Sequence, residues 1–228
     1  MEDSTIREKV LKKIRAALLN KSADPYPQLD LTSSVHKHET EDPVIIFAEH
    51  FIAAGGKFIL CENELEFVEG LLNLAEQYKW TTVLCCEDGL SNLLTECEFP
   101  HQFEVGEPLP DASVTSCECM IANNGSIVIS SRKNGLTTPI VAPVHIVCAK
   151  SSQIAMEIKD GLHWMKKQYD NLPSAISFIT GPARTQQIDG VFVNEGYGPK
   201  HIYLFLVDDK ERGFIEAAPD DADAMTNG

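Results

Sequence analysis

The chain has 228 residues, 43% hydrophobic and 23% charged, a balance typical of one globular domain with at most a small appendage. Its 19 Lys and Arg against 34 Asp and Glu give a net charge of −15 at pH 7, which argues against nucleic acid and anionic membranes as partners. No apolar run approaches the ~20 residues of a membrane span, and the first residues lack the apolar core of a signal peptide.

The N-terminal region predicts one helix, a connector and a second helix. Thr5 and Glu8 have the spacing of a capping box ahead of apolar residues at helical intervals. Residues 20–42 are polar and contain two prolines, which predicts a long connector. Asp42-Pro43 is typical of a helix start and Gly55-Gly56 of a helix end.

From residue 57 onward the pattern alternates between strand and helix, which predicts a parallel sheet covered by helices. Asn124-Gly125 lies between two β-prone runs and predicts an antiparallel hairpin. The predicted later elements are strands at 143–149, 175–180 and 201–207 and a helix at 152–169. We therefore expect an N-terminal helix and connector (1–42), an α/β domain (43–208) and an acidic tail (209–228).

The loop Gly181-Pro-Ala-Arg-Thr185 follows a predicted strand and is the leading candidate for a ligand site. Ligands of open α/β sheets bind beyond the carboxyl ends of the strands, so this loop has the expected position. The guanidinium of Arg184 is suited to a carboxylate or phosphate, with Gly181, Pro182 and Thr185 around it. The alternative interpretation is an ordinary turn with a surface arginine.

Other candidate sites carry weaker signals. The glycine-rich loop 194–200 permits close backbone approach, but the chain has neither a dinucleotide-binding fingerprint nor a P-loop. The seven cysteines lie mostly in apolar runs without the spacing of zinc or iron–sulfur sites, which predicts reduced thiols in the cytoplasm and no intrinsic metal or cofactor. His145, inside a predicted strand, is interpreted as a core or cleft-lining residue in preference to a ligand.

Three segments together resemble the lactate utilization protein C family, whose domain is called LUD or DUF162. They are the loop at 181–189, the loop Gly196-Tyr197-Gly198-Pro199-Lys200, and the hairpin at 121–128 followed by Pro143–Ile146. The resemblance implies a three-layer α/β/α fold with a mixed, mostly parallel sheet, similar to sugar-phosphate isomerases, deaminases and coenzyme A transferases. It adds Asn123, Asn124, Gly125, Gly196, Tyr197 and Gly198 to the expected ligand-binding residues.

The chain departs from the family pattern at three positions. Asn123 replaces the usual glutamate of the hairpin, Tyr197 replaces a histidine, and Gln187 replaces an aspartate. An amide cannot act as a carboxylate nucleophile or base, so coenzyme A transferase chemistry is disfavoured. Amides and a phenol still form hydrogen bonds to a ligand.

The resemblance implies an accessory, non-redox subunit of a cytoplasmic system that oxidises lactate to pyruvate. The iron–sulfur clusters are then expected on partner subunits, the lactate utilization proteins of types A and B. Two alternatives stay open. One is a stand-alone binder or enzyme acting on a small carboxylated or phosphorylated metabolite, and the other is a structural interaction module.

Overall fold

Strands and helices alternate through the first half of the molecule, as the sequence predicts. The computed structural model describes residues 6–19, 42–135, 137–186, 192–193 and 198–209, together with Gly213 and Ile215. The helices are α1 (Ile6–Leu19), α2 (Pro43–Ala53), α3 (Glu64–Tyr78), α4 (Asp88–Glu96), α5 (Ser131–Asn134), α6 (Thr138–Val141) and α7 (Ile158–Gln168). The strands are β1 (Lys57–Cys61), β2 (Val83–Leu84), β3 (Ala112–Ser116), β4 (Cys119–Ile121), β5 (Ser126–Ser130), β6 (Val144–Lys150), β7 (Ile154–Ala155), β8 (Ile176–Ile179), β9 (Thr185–Gln186), β10 (Phe192–Val193) and β11 (His201–Val207).

The chain divides into two units. One consists of residues 1–37 and 220–228, and its described part is the amphipathic helix α1. The other spans residues 38–219 and contains every other helix and strand named above. Thr5, most of the predicted connector and nearly all of the acidic tail lie outside the described residues, so the expected boundaries at 42 and 208 stay predictions.

The main sheet has five strands in the order β1-β11-β6-β3-β2, and all neighbouring pairs are parallel. Alternate residues along its strands face two apolar layers. One face packs against α3 and α4, through Phe67, Leu71 and Leu94 among others. The opposite face packs against α2, through Phe47 and Phe51, and against a second sheet. The predicted α/β architecture, a mostly parallel sheet flanked by helices, is confirmed.

The second sheet has the order β7-β4-β5-β8 and contains the predicted hairpin. Strands β4 and β5 are antiparallel, and Ile121 pairs with Ser126. The connection therefore has four residues: a short 3-10 helix over Ala122–Asn124, and then Gly125 with φ +63°. Only the glycine has positive φ, whereas a two-residue turn requires it at both central positions.

The predicted helix at 152–169 is wrong in its first six residues. Ile154 and Ala155 are fully buried and form β7, which pairs in parallel with β4, so the helix starts only at Ile158. Pairing with a distant strand overrides the local pattern here, as tertiary contacts commonly override propensity. The remaining face of the second sheet packs against α7 through Met165.

Candidate functional site

The loop after β8 lies against the C-terminal end of α2. Gly181 has φ +123°, and a Cβ atom there would lie 2.6 Å from the carbonyl oxygen of Ala54. A side chain is thus excluded by both backbone conformation and space. This contact joins segments about 130 residues apart in the sequence.

Arg184 binds the same helix end. Its Nη2 donates a hydrogen bond of 2.8 Å to the carbonyl oxygen of Ala54, and its side chain is exposed. The last carbonyl groups of a helix lack intrahelical partners and carry partial negative charge, so a guanidinium is favourable there. A guanidinium has five N–H donors, and this bond uses one of them.

The hairpin turn approaches α2 one turn earlier. A Cβ atom on Gly125 would collide with the backbone nitrogen of Phe51 and lie 2.6 Å from the carbonyl carbon of His50. The Nδ1 atom of His50 also lies 2.9 Å from the carbonyl oxygen of Ala122, within hydrogen-bond distance. The turn and the loop at 181–184 therefore meet at the same end of α2.

The two predicted asparagines have different surroundings. Asn124 is exposed, and its Oδ1 accepts the N–H of Ser126 at 3.0 Å, which stabilises the turn. Asn123 is half-buried, and its backbone N–H donates to the carbonyl oxygen of Met156 at 3.2 Å. Ser126 further contacts Thr180, with the hydroxyl oxygens 2.6 Å apart, which ties the hairpin to the strand that precedes the loop.

The described part of the second glycine-rich loop joins the same region. The N–H of Ala183 donates to the carbonyl oxygen of buried Pro199 at 2.8 Å. Gly198 has φ +130°, and a Cβ atom there would lie 3.2 Å from that of Ala183. Gly196, Tyr197, Gln187 and Asp189 lie outside the described residues, as does the side chain of Thr185. The structure thus brings together Gly181, Pro182, Arg184, Asn123, Asn124, Gly125 and Gly198.

These residues lie at the end of the main sheet where its parallel strands begin. The end of α2 leads directly into β1, Pro199 precedes β11 by two residues, and the N–H of Lys200 donates to Pro143, which immediately precedes β6. The expectation of a site beyond the carboxyl ends of the parallel strands is therefore wrong. Its physical cause is that β8 belongs to the second sheet, where it pairs antiparallel with β5 as a partly exposed strand.

At the opposite end of the main sheet, where the parallel strands end, a buried acid follows β3. It was not predicted from the sequence. Glu118 is almost fully buried, and its carboxylate accepts hydrogen bonds from Tyr169 at 2.9 Å and from Ser130 at 2.5 Å. The ammonium of Lys133 lies 3.3 Å away. The pKa of Tyr169 is raised to about 12. Burial is the larger cause, and the hydrogen bond to Glu118 is the second. The available signal was an acid between Cys117 and Cys119 in an otherwise apolar run.

The thiols are mostly buried. All seven cysteines are free, and burial raises the pKa of Cys85, Cys119 and Cys148 to about 12. Such thiols are protonated at neutral pH and hence poor nucleophiles. Among the described residues no group of three or more His, Cys, Asp or Glu side chains is arranged to hold a metal ion. No helix in the described part of the chain is long and apolar enough to span a bilayer.

Comparison with known proteins agrees with the sequence motifs. Residues 109–207 match the LUD domain family, a span that includes the hairpin and both candidate loops. The fold is similar to the crystal structure of a DUF162 family protein from Deinococcus radiodurans, with a TM-score of 0.53 and 16% identity, covering 72% of this chain and 96% of that one. The family match confirms the predicted resemblance to the LUD domain over residues 109–207, and the structural match agrees with the predicted fold.

One relative that matches part of the chain has no assigned activity. An uncharacterized protein of Neisseria meningitidis serogroup B is 24% identical over 98 residues. The aligned part is 42% of this chain and 42% of the relative, so the chain spans less than half of that protein's length.

Proposed function

Because this chain carries a LUD domain, we propose that it is an accessory, non-redox subunit of a cytoplasmic iron–sulfur system that oxidises lactate to pyruvate. In this proposal it binds a small anionic ligand beside Arg184. The iron–sulfur clusters belong to partner subunits of the lactate utilization A and B types.

The observation that carries the proposal is the position of the Arg184 guanidinium. It is exposed, it lies where the loop at 181–184 and the hairpin turn meet the end of α2, and one Nη2 donor is bound to Ala54. The remaining donors are suited to the two oxygens of a carboxylate or phosphate. The positive charge also offsets the negative helix end, which would otherwise repel an anion.

The residue types of the candidate site favour binding over chemistry. The hairpin turn that meets the same helix end carries Asn123 and Asn124, whose amides donate and accept hydrogen bonds but neither attack nor abstract a proton as a carboxylate does. The cysteines lack the spacing typical of iron–sulfur ligands, which supports the assignment of clusters to partner subunits.

Ligand binding is tested by titration calorimetry with L-lactate, pyruvate and inorganic phosphate, each added separately to the full chain. We expect at least one to bind and Arg184→Ala to weaken it about 10- to 100-fold, the range for a charge-assisted hydrogen bond. Arg132→Ala is the matched control, since Arg132 is also exposed and donates to a backbone carbonyl oxygen, that of Asn171, at 3.2 Å. Equal affinity of the two variants would remove Arg184 from the proposal.

Assembly is tested by co-purification of the full chain with the A- and B-type proteins encoded in the same genome. A stable complex that oxidises lactate supports the accessory role. Anion binding at Arg184 without any complex would instead favour the stand-alone metabolite binder.

A further inference from the structure

Two buried polar atoms in the main sheet have no hydrogen-bond partner among the described residues. They are Oγ of Ser113 in β3 and Nδ1 of His145 in β6, and both residues are fully buried. Buried polar groups in native proteins almost always have a hydrogen-bond partner. Two such atoms without a partner on neighbouring strands therefore require an explanation.

The two side chains lie side by side. Ser113 and His145 are register partners in the parallel pairing of β3 with β6. Paired residues of neighbouring strands project from the same face, and neighbouring strands are about 4.8 Å apart. His145 precedes Val147 by two residues, so this is the face that packs against α2.

The orientation of the imidazole is fixed by its other nitrogen. Nε2 lies 2.8 Å from Oγ1 of Thr115, two residues beyond Ser113 on the same strand. This bond occupies one ring nitrogen and leaves Nδ1, the nitrogen closer to the backbone of β6, for a further partner.

The energetics favour a shared partner. Each buried polar atom left unpaired costs about 1–3 kcal/mol. One small molecule between the two atoms satisfies both, and buried waters commonly serve unsatisfied polar groups in this way.

The chemistry of the site selects an uncharged molecule. Burial lowers the pKa of His145 to about 3, so the imidazole is neutral at pH 7. Depending on the tautomer, Nδ1 is a donor or an acceptor, and the serine hydroxyl is both. The ligand must therefore be small and carry both donors and acceptors, as water does.

We propose that Ser113 Oγ and His145 Nδ1 together bind one buried water molecule, which bridges β3 and β6. This water site is separate from the candidate residues around Arg184 and does not depend on the proposed function. It completes the hydrogen bonding of His145.

A high-resolution crystal structure of the full chain tests the bridge directly. We expect one density peak about 2.7–3.2 Å from both Ser113 Oγ and His145 Nδ1. A direct bond between the two atoms, or the absence of a peak, would overturn the proposal. An anomalous scattering signal at this peak after bromide soaking would identify a halide ion. It would overturn the proposal that the ligand is neutral.

The substitution Ser113→Ala supplies a second, independent measurement by urea unfolding. If water bridges the two atoms, the change leaves His145 Nδ1 and the water poorly paired, and the unfolding equilibrium constant rises about tenfold, or ~1.4 kcal/mol. If Ser113 Oγ is an orphan, its removal leaves the constant unchanged or lowers it, and the proposal fails. Thr115→Val is the companion variant, because it removes a hydrogen bond from His145 at 2.8 Å but should retain the water peak.

Discussion

The guanidinium of Arg184 binds the carbonyl oxygen of Ala54 at 2.8 Å, although the two residues are 130 positions apart in the chain. The same helix end accommodates Gly181 and Gly125, whose absent side chains permit the approach. Arg184 thus has a structural role at the end of α2 in addition to the proposed role in ligand binding. The two roles are separable by experiment.

The structural role predicts a measurable loss of stability. Arg184→Ala should lower the free energy of unfolding by about 1 kcal/mol, because it removes a favourable charge and a hydrogen bond at a helix C-terminus. Arg184→Lys should recover part of the loss, since an ammonium keeps the charge but not the geometry of the guanidinium. Urea denaturation measures both variants, and an Arg184→Ala protein as stable as the wild type would contradict the capping role.

Gly125 should tolerate no side chain. Gly125→Ala is expected to cost at least about 3 kcal/mol, because the new Cβ collides with the backbone of Phe51 and overpacking alone costs 1–3 kcal/mol beyond the strain of positive φ. Gly89→Ala is the control: Gly89 lies inside helix α4, and nothing lies within 4 Å of the position that its new methyl group would take. It should leave the stability unchanged or raise it by up to about 1 kcal/mol, because alanine favours a helix over glycine. Equal losses in the two variants would show that the collision with α2 is unimportant.

The local signals in the sequence identified many elements but could not identify which strands pair. Asp42, Pro43 and Gly55 predicted the limits of α2, because caps and helix breakers act within a few residues. The residues 175–180 predicted a strand but not its sheet, and so the candidate loop was expected at the wrong edge. Strand pairing depends on contacts between distant residues, which the pattern of one segment does not encode.

For the candidate site too, local motifs could be identified from the sequence, whereas contacts between distant residues could not. Gly181, Pro182 and Arg184 could be identified from their motif, and the structure brings them together with the hairpin turn. That Arg184 binds a helix end could not be predicted, because Ala54 carries no side-chain signal. Glu118 was missed since its burial depends on Tyr169, which is 51 residues away.

Glu118 should be far more important to stability than an exposed acid in an ion pair. Glu118→Gln is expected to lower the free energy of unfolding by about 2–3 kcal/mol, as it leaves Lys133 without its carboxylate and weakens the bonds from Tyr169 and Ser130. Glu64→Gln is the control, because Glu64 and Lys150 form a half-exposed ion pair at 3.4 Å and should contribute less than about 1 kcal/mol. Chemical denaturation compares them, and a Glu118→Gln loss no larger than that of the control would refute the network.

The buried thiols predict instability at alkaline pH. The pKa of Cys148 is raised to about 12 by burial, whereas an unfolded thiol ionises near pH 9. Above pH 9 the unfolded state releases a proton that the folded state retains, so stability falls by about 1.4 kcal/mol per pH unit for each such thiol. Between pH 9 and 10.5, Cys148→Val should therefore lose about 2 kcal/mol less than the wild type. Val147→Ala, a change at the neighbouring buried residue, should keep the wild-type slope, and a Cys148→Val slope identical to it would contradict the prediction.

The buried imidazole of His145 predicts a complementary instability in acid. Burial lowers its pKa to about 3, whereas an unfolded histidine binds a proton near pH 6.5. As the pH falls from 6.5 towards 3, the unfolded state gains a proton that the folded state excludes, so the contribution of this residue to stability is complete above pH 6.5 and decreases by about 1.4 kcal/mol per pH unit below it. Between pH 6.5 and 4.5, His145→Gln should accordingly lose about 2 kcal/mol less than the wild type in urea unfolding. Thr115→Val keeps the imidazole and should keep the wild-type acid slope, which separates the titration of His145 from the loss of its hydrogen bond. An unchanged slope in His145→Gln would mean that the imidazole gains a proton in the folded protein as easily as in the unfolded chain.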